Sequence, residues 1–220
     1  MKVILQGYKG KTGKLIYDAL IQRGIEVLPV DINNSLDDYY LEKNIDAIID
    51  FSSIDGTKNA LEFALNNNIS LIIGTTNIEE INLKKYHEIA LAKNIAIIAL
   101  ENYLLTMPSI MKFLVSLDKH FEIINIEESH HESKVDAPSG TAKMLKRCFD
   151  DRKLVPILSK RVKMYVYEHI VTLKNDYEEI SLTHRCINKE GYAIGVINVL
   201  YNIDKYKGVI LNVKELITWV

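Results

Sequence analysis

The chain has 220 residues, enough to bury a full core as one large domain or two modest ones. Apolar residues make up 48% and charged residues 25%, and a formal net charge of -2 supplies no global field to recruit nucleic acid or an anionic membrane. Cys148 and Cys186 are too few for a disulfide framework and too far apart for a metal-ligand pattern, so a reducing, cytoplasmic setting is expected. The start Met1-Lys2-Val3-Ile4-Leu5-Gln6-Gly7 lacks the apolar length of a signal peptide, and no run approaches the ~18 apolar residues of a membrane span.

In chain order, residues 2–6 read as a short buried strand, followed by a glycine turn and an apolar-patterned helix over 12–22. Residues 25–30 form a second strand, in which Pro29 demands a free edge or a strand end because it has no N–H for a ladder. Residues 45–51 and 69–73 are apolar strands with a helix over 56–66 between them. A helix over 83–93 leads to a strand over 95–100. This alternation calls for a mostly parallel sheet covered on both faces, an α/β, Rossmann-like first domain. The pattern then changes to a helix over 104–117, a strand over 121–128 and a short helix over 139–148. Mainly strands follow, over 160–173, 179–185 and 192–200. The alternation from Tyr165 to Thr172 favours a second, α+β domain with a mixed or antiparallel sheet. The expected division is a dinucleotide-binding domain over 1–103, completed by 204–220, and a second domain over 104–203.

Gly7, Gly10 and Gly13 stand as GxxGxxG between the first strand and the first helix. A pyrophosphate needs a tight turn, close backbone approach and the free N–H groups of a helix start, and Tyr8, Lys9, Lys11 and Thr12 complete that turn. Asp31 ends the second strand, where a carboxylate accepts hydrogen bonds from the adenosine ribose and repels a 2′-phosphate, favouring NADH. Lys9 and Lys11 would tolerate that phosphate. Phe51 and Ser52, Gly74, Thr75 and Thr76, and Asn102 each follow a strand, at the carboxyl ends that face the ligand crevice of such a sheet.

The densest chemistry lies in residues 128–142, Glu-Ser-His-His-Glu-Ser-Lys-Val-Asp-Ala-Pro-Ser-Gly-Thr-Ala. His130 and His131 are adjacent, so on an extended chain their rings point to opposite sides and do different jobs. Lys134 offers a point charge for a carboxylate or a proton. Ser139 is the expected helix cap, with Gly140 and Thr141 placing N–H groups and a hydroxyl around an anion. No metal is expected, since adjacent histidines point apart and neither spaced cysteines nor an HExxH helix accompanies them. Ser139 lacks the GxSxG elbow of a hydrolase. His184 and Arg185 line either a substrate or a subunit surface, or simply end a strand. Lys160, Arg161 and Lys163 read as a solvated basic run.

On residues 128–142, together with the glycine turn, Asp50-Phe51-Ser52, Gly74-Thr75-Thr76, Leu182-Thr183-His184-Arg185 and Gly191-Tyr192-Ala193-Ile194-Gly195, the chain resembles the dihydrodipicolinate reductases, also called 4-hydroxy-tetrahydrodipicolinate reductases. The resemblance covers nearly the whole chain. It implies hydride transfer from NADH or NADPH to a cyclic unsaturated dicarboxylate in diaminopimelate–lysine biosynthesis, giving tetrahydrodipicolinate. By motif position it makes His130 the general acid or proton relay and Lys134 the catalytic lysine. His131, Gly140 and Thr141 become substrate-binding. It also implies a homotetramer built through the second domain and a hinge that closes nucleotide onto substrate. The chain departs from the pattern at Lys11 and Thr12, where Arg and Met are usual, at Asn77 in the usual GTTG, and at Lys189, where arginine is common. Two rival readings are another NAD(P)-dependent reductase of a small imino or keto dicarboxylate and a non-catalytic nucleotide-binding regulatory subunit.

Overall fold

A computed structural model of the chain describes residues 1–39, 41–75, 78, 81–164 and 167–212. In chain order its elements are β1 (Lys2–Gln6), α1 (Lys11–Gln22), β2 (Glu26–Val30), β3 (Ala47–Asp50), α2 (Ile54–Asn67), β4 (Ser70–Ile73), α3 (His87–Ala92) and β5 (Ala96–Ala99). There follow α4 (Met107–Leu117), β6 (Ile123–His131), α5 (Gly140–Lys146), β7 (Ile157–Val162), β8 (Tyr167–Lys174), β9 (Glu179–Arg185), α6 (Glu190–Tyr201) and β10 (Gly208–Ile210). Two units emerge, one of Met1–Leu105 with Lys189–Val220, the other of Thr106–Asn188. Among the described residues, no helix is long and apolar enough to cross a membrane.

The first unit is built on a six-stranded parallel sheet in the order β10-β5-β4-β3-β1-β2. Its inner strands are apolar at consecutive positions because both faces are covered: Ile4, Leu5, Ile48, Ile49, Leu71, Ile72, Ile97 and Ile98 are fully buried. Each such side chain contributes roughly 1.5–3 kcal/mol over leaving it in water. Among the described residues β2 lies at the edge and pairs only with β1, which is the free edge that Pro29 requires. α2 starts at Ser53, whose hydroxyl accepts the Gly56 N–H at 3.2 Å, and ends at Asn68 in the left-handed region, φ 54°. The helix expected over 83–93 is a 3₁₀ turn (Leu83–Tyr86) followed by α3.

One element differs in kind from its expectation. Residues 192–200 are not a strand; they belong to helix α6, which packs on α1. α6 buries Ala193, Val196, Ile197, Val199 and Leu200, so it is apolar nearly all round, and periodicity alone does not separate a buried helix from a buried strand. Gly195 lets the helix approach closely, since a Cβ there would lie 1.5 Å from the Tyr103 carbonyl oxygen. The chain accordingly returns to its first unit at Lys189 rather than near 204.

The second unit carries a four-stranded mixed sheet in the order β7-β6-β8-β9, with β6 parallel to β7 and antiparallel to β8, and β8 antiparallel to β9. The strand expected over 160–173 is two strands, β7 and β8, and Tyr165 and Val166 lie outside the described residues. Alternate residues of β6 are buried: Ile124, Ile126, Glu128 and His130. Opposite them on β8 stand Leu173, Val171, His169 and Tyr167. This face therefore changes from aliphatic to ionisable along its strands.

Candidate active site

In the first unit, Gly7 holds φ +81°, in the left-handed region, and a Cβ there would sit 2.5 Å from the Phe51 carbonyl oxygen. A Cβ on Gly13 would come within 2.1 Å of the Gly7 carbonyl oxygen. These two glycines let β1, the turn and α1 close on one another, and the Gly10 N–H completes the turn on the Gly7 carbonyl at 3.0 Å.

Beside this turn opens a cavity of about 1110 Å³, lined by Gly7, Lys9, Gly10, Asp31, Phe51 and Ser52 among the expected residues. It continues over Asn33 to Asp37 and along Asn59, Glu62, Phe63 and Asn66 of α2. Gln6 also lines it, and its buried Oε1 has no hydrogen-bond partner among the described residues. Asp31 forms an ion pair with Lys9 and accepts the Asn33 N–H at 2.8 Å; Lys9, then that N–H, hold the carboxyl below its ordinary range. A glycine cradle beside a carboxylate and an open cavity of this size fits a dinucleotide.

The remaining expected residues stand elsewhere. Tyr8, Lys11, Thr12 and Gly13 belong to the turn and α1 but do not line the cavity. Gly74 accommodates the Phe51 ring, which a Cβ would meet at 2.0 Å. Thr75 donates to the buried Asp50 at 3.0 Å and accepts the Ser52 N–H at 3.1 Å, so its hydroxyl ties two strand ends together. Burial pushes the Asp50 carboxyl up, against the hydrogen bonds from Ser52, Thr57 and Thr75. Asn102 is buried, and its Oδ1 accepts the Leu104 N–H at 2.8 Å. Thr76 and Asn77 lie outside the described residues.

In the second unit, the sheet sets Glu128 and His130 against side chains far along the sequence. Glu128 faces His169 across β6 and β8, and His169 faces His184 across β8 and β9. His130 and His169 meet edge to face with ring centres 5.2 Å apart, and His184 stacks on His169 at 6.2 Å. His130 is buried while His131, its neighbour, is only half-buried, as alternation requires. His131 Nδ1 instead lies 2.8 Å from the Ser133 hydroxyl. Lys134 Nζ is paired with Asp136 Oδ1 at 2.7 Å. Burial is the largest influence on Asp136 and opposes its ionisation, but the bond and charge of Lys134, a backbone hydrogen bond and the charge of Arg161 together hold that carboxyl low. Ser139 caps α5 through the Ala142 N–H at 3.2 Å, and Gly140 and Thr141 form its first turn.

Charge in this cluster is uneven. Burial pushes His130, His169 and His184 down, His169 to about 3, so the three imidazoles are neutral near pH 7. Burial also opposes the charge on Glu128, but hydrogen bonds from Ser139 and Ser159 outweigh it, and the carboxylate stays ionised. Glu128, His130 and His169 bring three donor atoms within 4.8 Å of one another. The carboxylate oxygens are already taken by the Ser139 N–H and the Arg161 guanidinium, which favours a hydrogen-bonded cluster over a cation.

Arg161 corrects the expectation of a solvated basic run. Its guanidinium reaches the carbonyl oxygens of Lys134 (3.1 Å) and Asp136 as well as Glu128, so it clasps the turn that carries Lys134. Glu128 and His169 carry no role by sequence alone, and Arg161 only that of a solvated charge. The available signal was parity, because His169 sits in step with the inward Val171 and Leu173.

Family models for the two halves of dihydrodipicolinate reductase tile the chain, the N-terminal one over residues 1–103 and the C-terminal one over 105–217. The chain belongs to the dihydrodipicolinate reductase family. A family relative from Thermosipho africanus, a 4-hydroxy-tetrahydrodipicolinate reductase, is 29% identical over 99% of this chain and 98% of its own. The Rickettsia rickettsii reductase is 30% identical over 90% of each. The dihydrodipicolinate reductase of Paenisporosarcina sp. TG-14, solved with dipicolinate bound, shares the fold at a TM-score of 0.83, with 19% identity over 99% of both chains. The family thus joins the glycine-turn unit and the histidine-cluster unit in one oxidoreductase.

Proposed function

We propose that this chain reduces 4-hydroxy-tetrahydrodipicolinate, or its dehydrated form dihydrodipicolinate, to tetrahydrodipicolinate with NADH or NADPH, in lysine and diaminopimelate biosynthesis. The observation that carries this reading is the match of both family halves along the chain. The glycine turn, Asp31 and the cavity beside them hold the dinucleotide, which supplies a hydride when bound. Lys134 and His130 manage the proton that accompanies reduction, and Lys134 also pairs with a substrate carboxylate, releasing Asp136. His131, Gly140 and Thr141 bind the substrate, the latter two at the α5 start. A dianionic substrate beside His130 favours its imidazolium, against the burial that keeps it neutral here. The working form is a cytoplasmic homotetramer assembled through the second unit.

The test generates the substrate enzymatically from pyruvate and aspartate semialdehyde and follows NADH and NADPH oxidation separately. Oxidation of at least one is expected; none, where a known reductase turns over, refutes the proposal. Lys134→Ala should abolish turnover while NADH binding persists, and full turnover in that variant would remove Lys134 from the catalytic set.

A further inference from the structure

We infer that Glu128 is the positioning residue of this site: one buried carboxylate sets the His130 imidazole, the turn that bears Lys134 and the start of α5. The inference rests on the reductase reading above. Glu128 is fully buried on a face whose other inward β6 positions include Ile124 and Ile126, so an aliphatic side chain would satisfy packing there. An ionised carboxylate in such a place is retained against a desolvation cost.

Its contacts run in three directions. Both oxygens accept the Ser139 N–H at 3.1 Å, which ties β6 to the cap of α5. Oε1 takes Arg161 Nη2 at 3.3 Å and Nη1 at 3.4 Å, and that same guanidinium holds the carbonyls of Lys134 and Asp136. Oε2 lies 3.6 Å from His130 Nδ1, a buried nitrogen with no hydrogen-bond partner among the described residues, and 3.8 Å from His169 Nε2. A small tightening makes the first of these a hydrogen bond. A carboxylate beside Nδ1 favours the Nδ1–H tautomer and the imidazolium, leaving Nε2 for the substrate.

The groups facing His130 are Glu128 on its own strand, Arg161 on β7, Tyr167 and His169 on β8, and Lys134 and Asp136 in the turn after β6. Burial, Lys134 and Arg161 work against its protonation, while Glu128 and Asp136 favour it. Loss of the Glu128 charge therefore makes His130 a stronger acid, deprotonated at lower pH.

The experiment compares wild type with Glu128→Gln and Glu128→Asp. Glu128→Gln should lower kcat by about tenfold or more, leave the Kd for NADH within about twofold, and move the alkaline limb of kcat/KM down by about one pH unit. Glu128→Asp, which keeps the charge, should restore the position of that limb. A folded Glu128→Gln with unchanged turnover and pH profile overturns the inference. If that variant does not fold, ¹⁵N-histidine NMR on the wild-type protein decides: a neutral His130 protonated on Nδ1 supports it, and one protonated on Nε2 overturns it. The NMR result stands apart from the reductase assay, so failure of the proposed activity and failure of the Glu128 role are distinguishable.

Discussion

Acid should unfold this protein through His169. The imidazole is buried, flanked by His130 and His184, and held down to about 3 against an ordinary 6.5. A folded pKa below the unfolded one means stability is complete above 6.5 and lost as pH falls towards 3, because the unfolded chain takes up a proton that the native state refuses. At pH 5 the loss from this one group is about 2 kcal/mol, a large share of a typical ~5–15 kcal/mol. His169→Gln isolates the effect, since glutamine does not titrate and can still reach the Ser139 hydroxyl, now 3.2 Å from Nε2. At pH 7 the variant should be less stable than wild type by about 1–2 kcal/mol. Between pH 7 and 5 wild type should lose about 2 kcal/mol that the variant keeps, so the two converge or cross. Asp50, which burial pushes the other way, is present in both proteins and cancels in the difference. Urea unfolding followed by circular dichroism at pH 7, 6 and 5 measures the gap. A gap constant with pH refutes the depressed titration of His169.

Gly13→Ala would place a Cβ 2.1 Å from the Gly7 carbonyl, where ordinary contact begins at 3.4 Å, so the turn must open; calorimetric titration should show NADH affinity about tenfold weaker or worse, and wild-type affinity would refute the tight-turn reading. Tyr103→Phe removes the hydroxyl that donates to the Ile73 carbonyl at 2.7 Å inside the first unit, and should cost about 1–2 kcal/mol in urea unfolding. An unchanged midpoint would refute that cost. Wild type should use NADH at least as well as NADPH, and Asp31→Asn, which frees Lys9 from its ion pair, should shift the kcat/KM ratio about fivefold or more towards NADPH. A ratio that does not move would remove Asp31 from cofactor discrimination.

Much of this molecule is written locally. The buried strands β1, β3, β4 and β5 are continuous apolar runs whatever they pair with, Pro29 can serve only an edge, and Gly7 and Gly13 make a turn because no side chain fits there. The opposed settings of His130 and His131 follow from strand alternation, and the Ser139 cap from residue chemistry. Helix α6 was not legible, because a segment apolar on nearly every side carries no period. The cluster around His130 was not legible either. Arg161 lies 33 residues beyond Glu128, and only the parallel register of β6 with β7 puts it against that carboxylate and the Lys134 turn. Likewise, the antiparallel register of β6, β8 and β9 aligns Glu128, His169 and His184 in one row, the first two buried and His184 half-buried. Local sequence specifies which residues face inward, but which inward residues meet depends on strand order and register, and these are settled by the whole sheet.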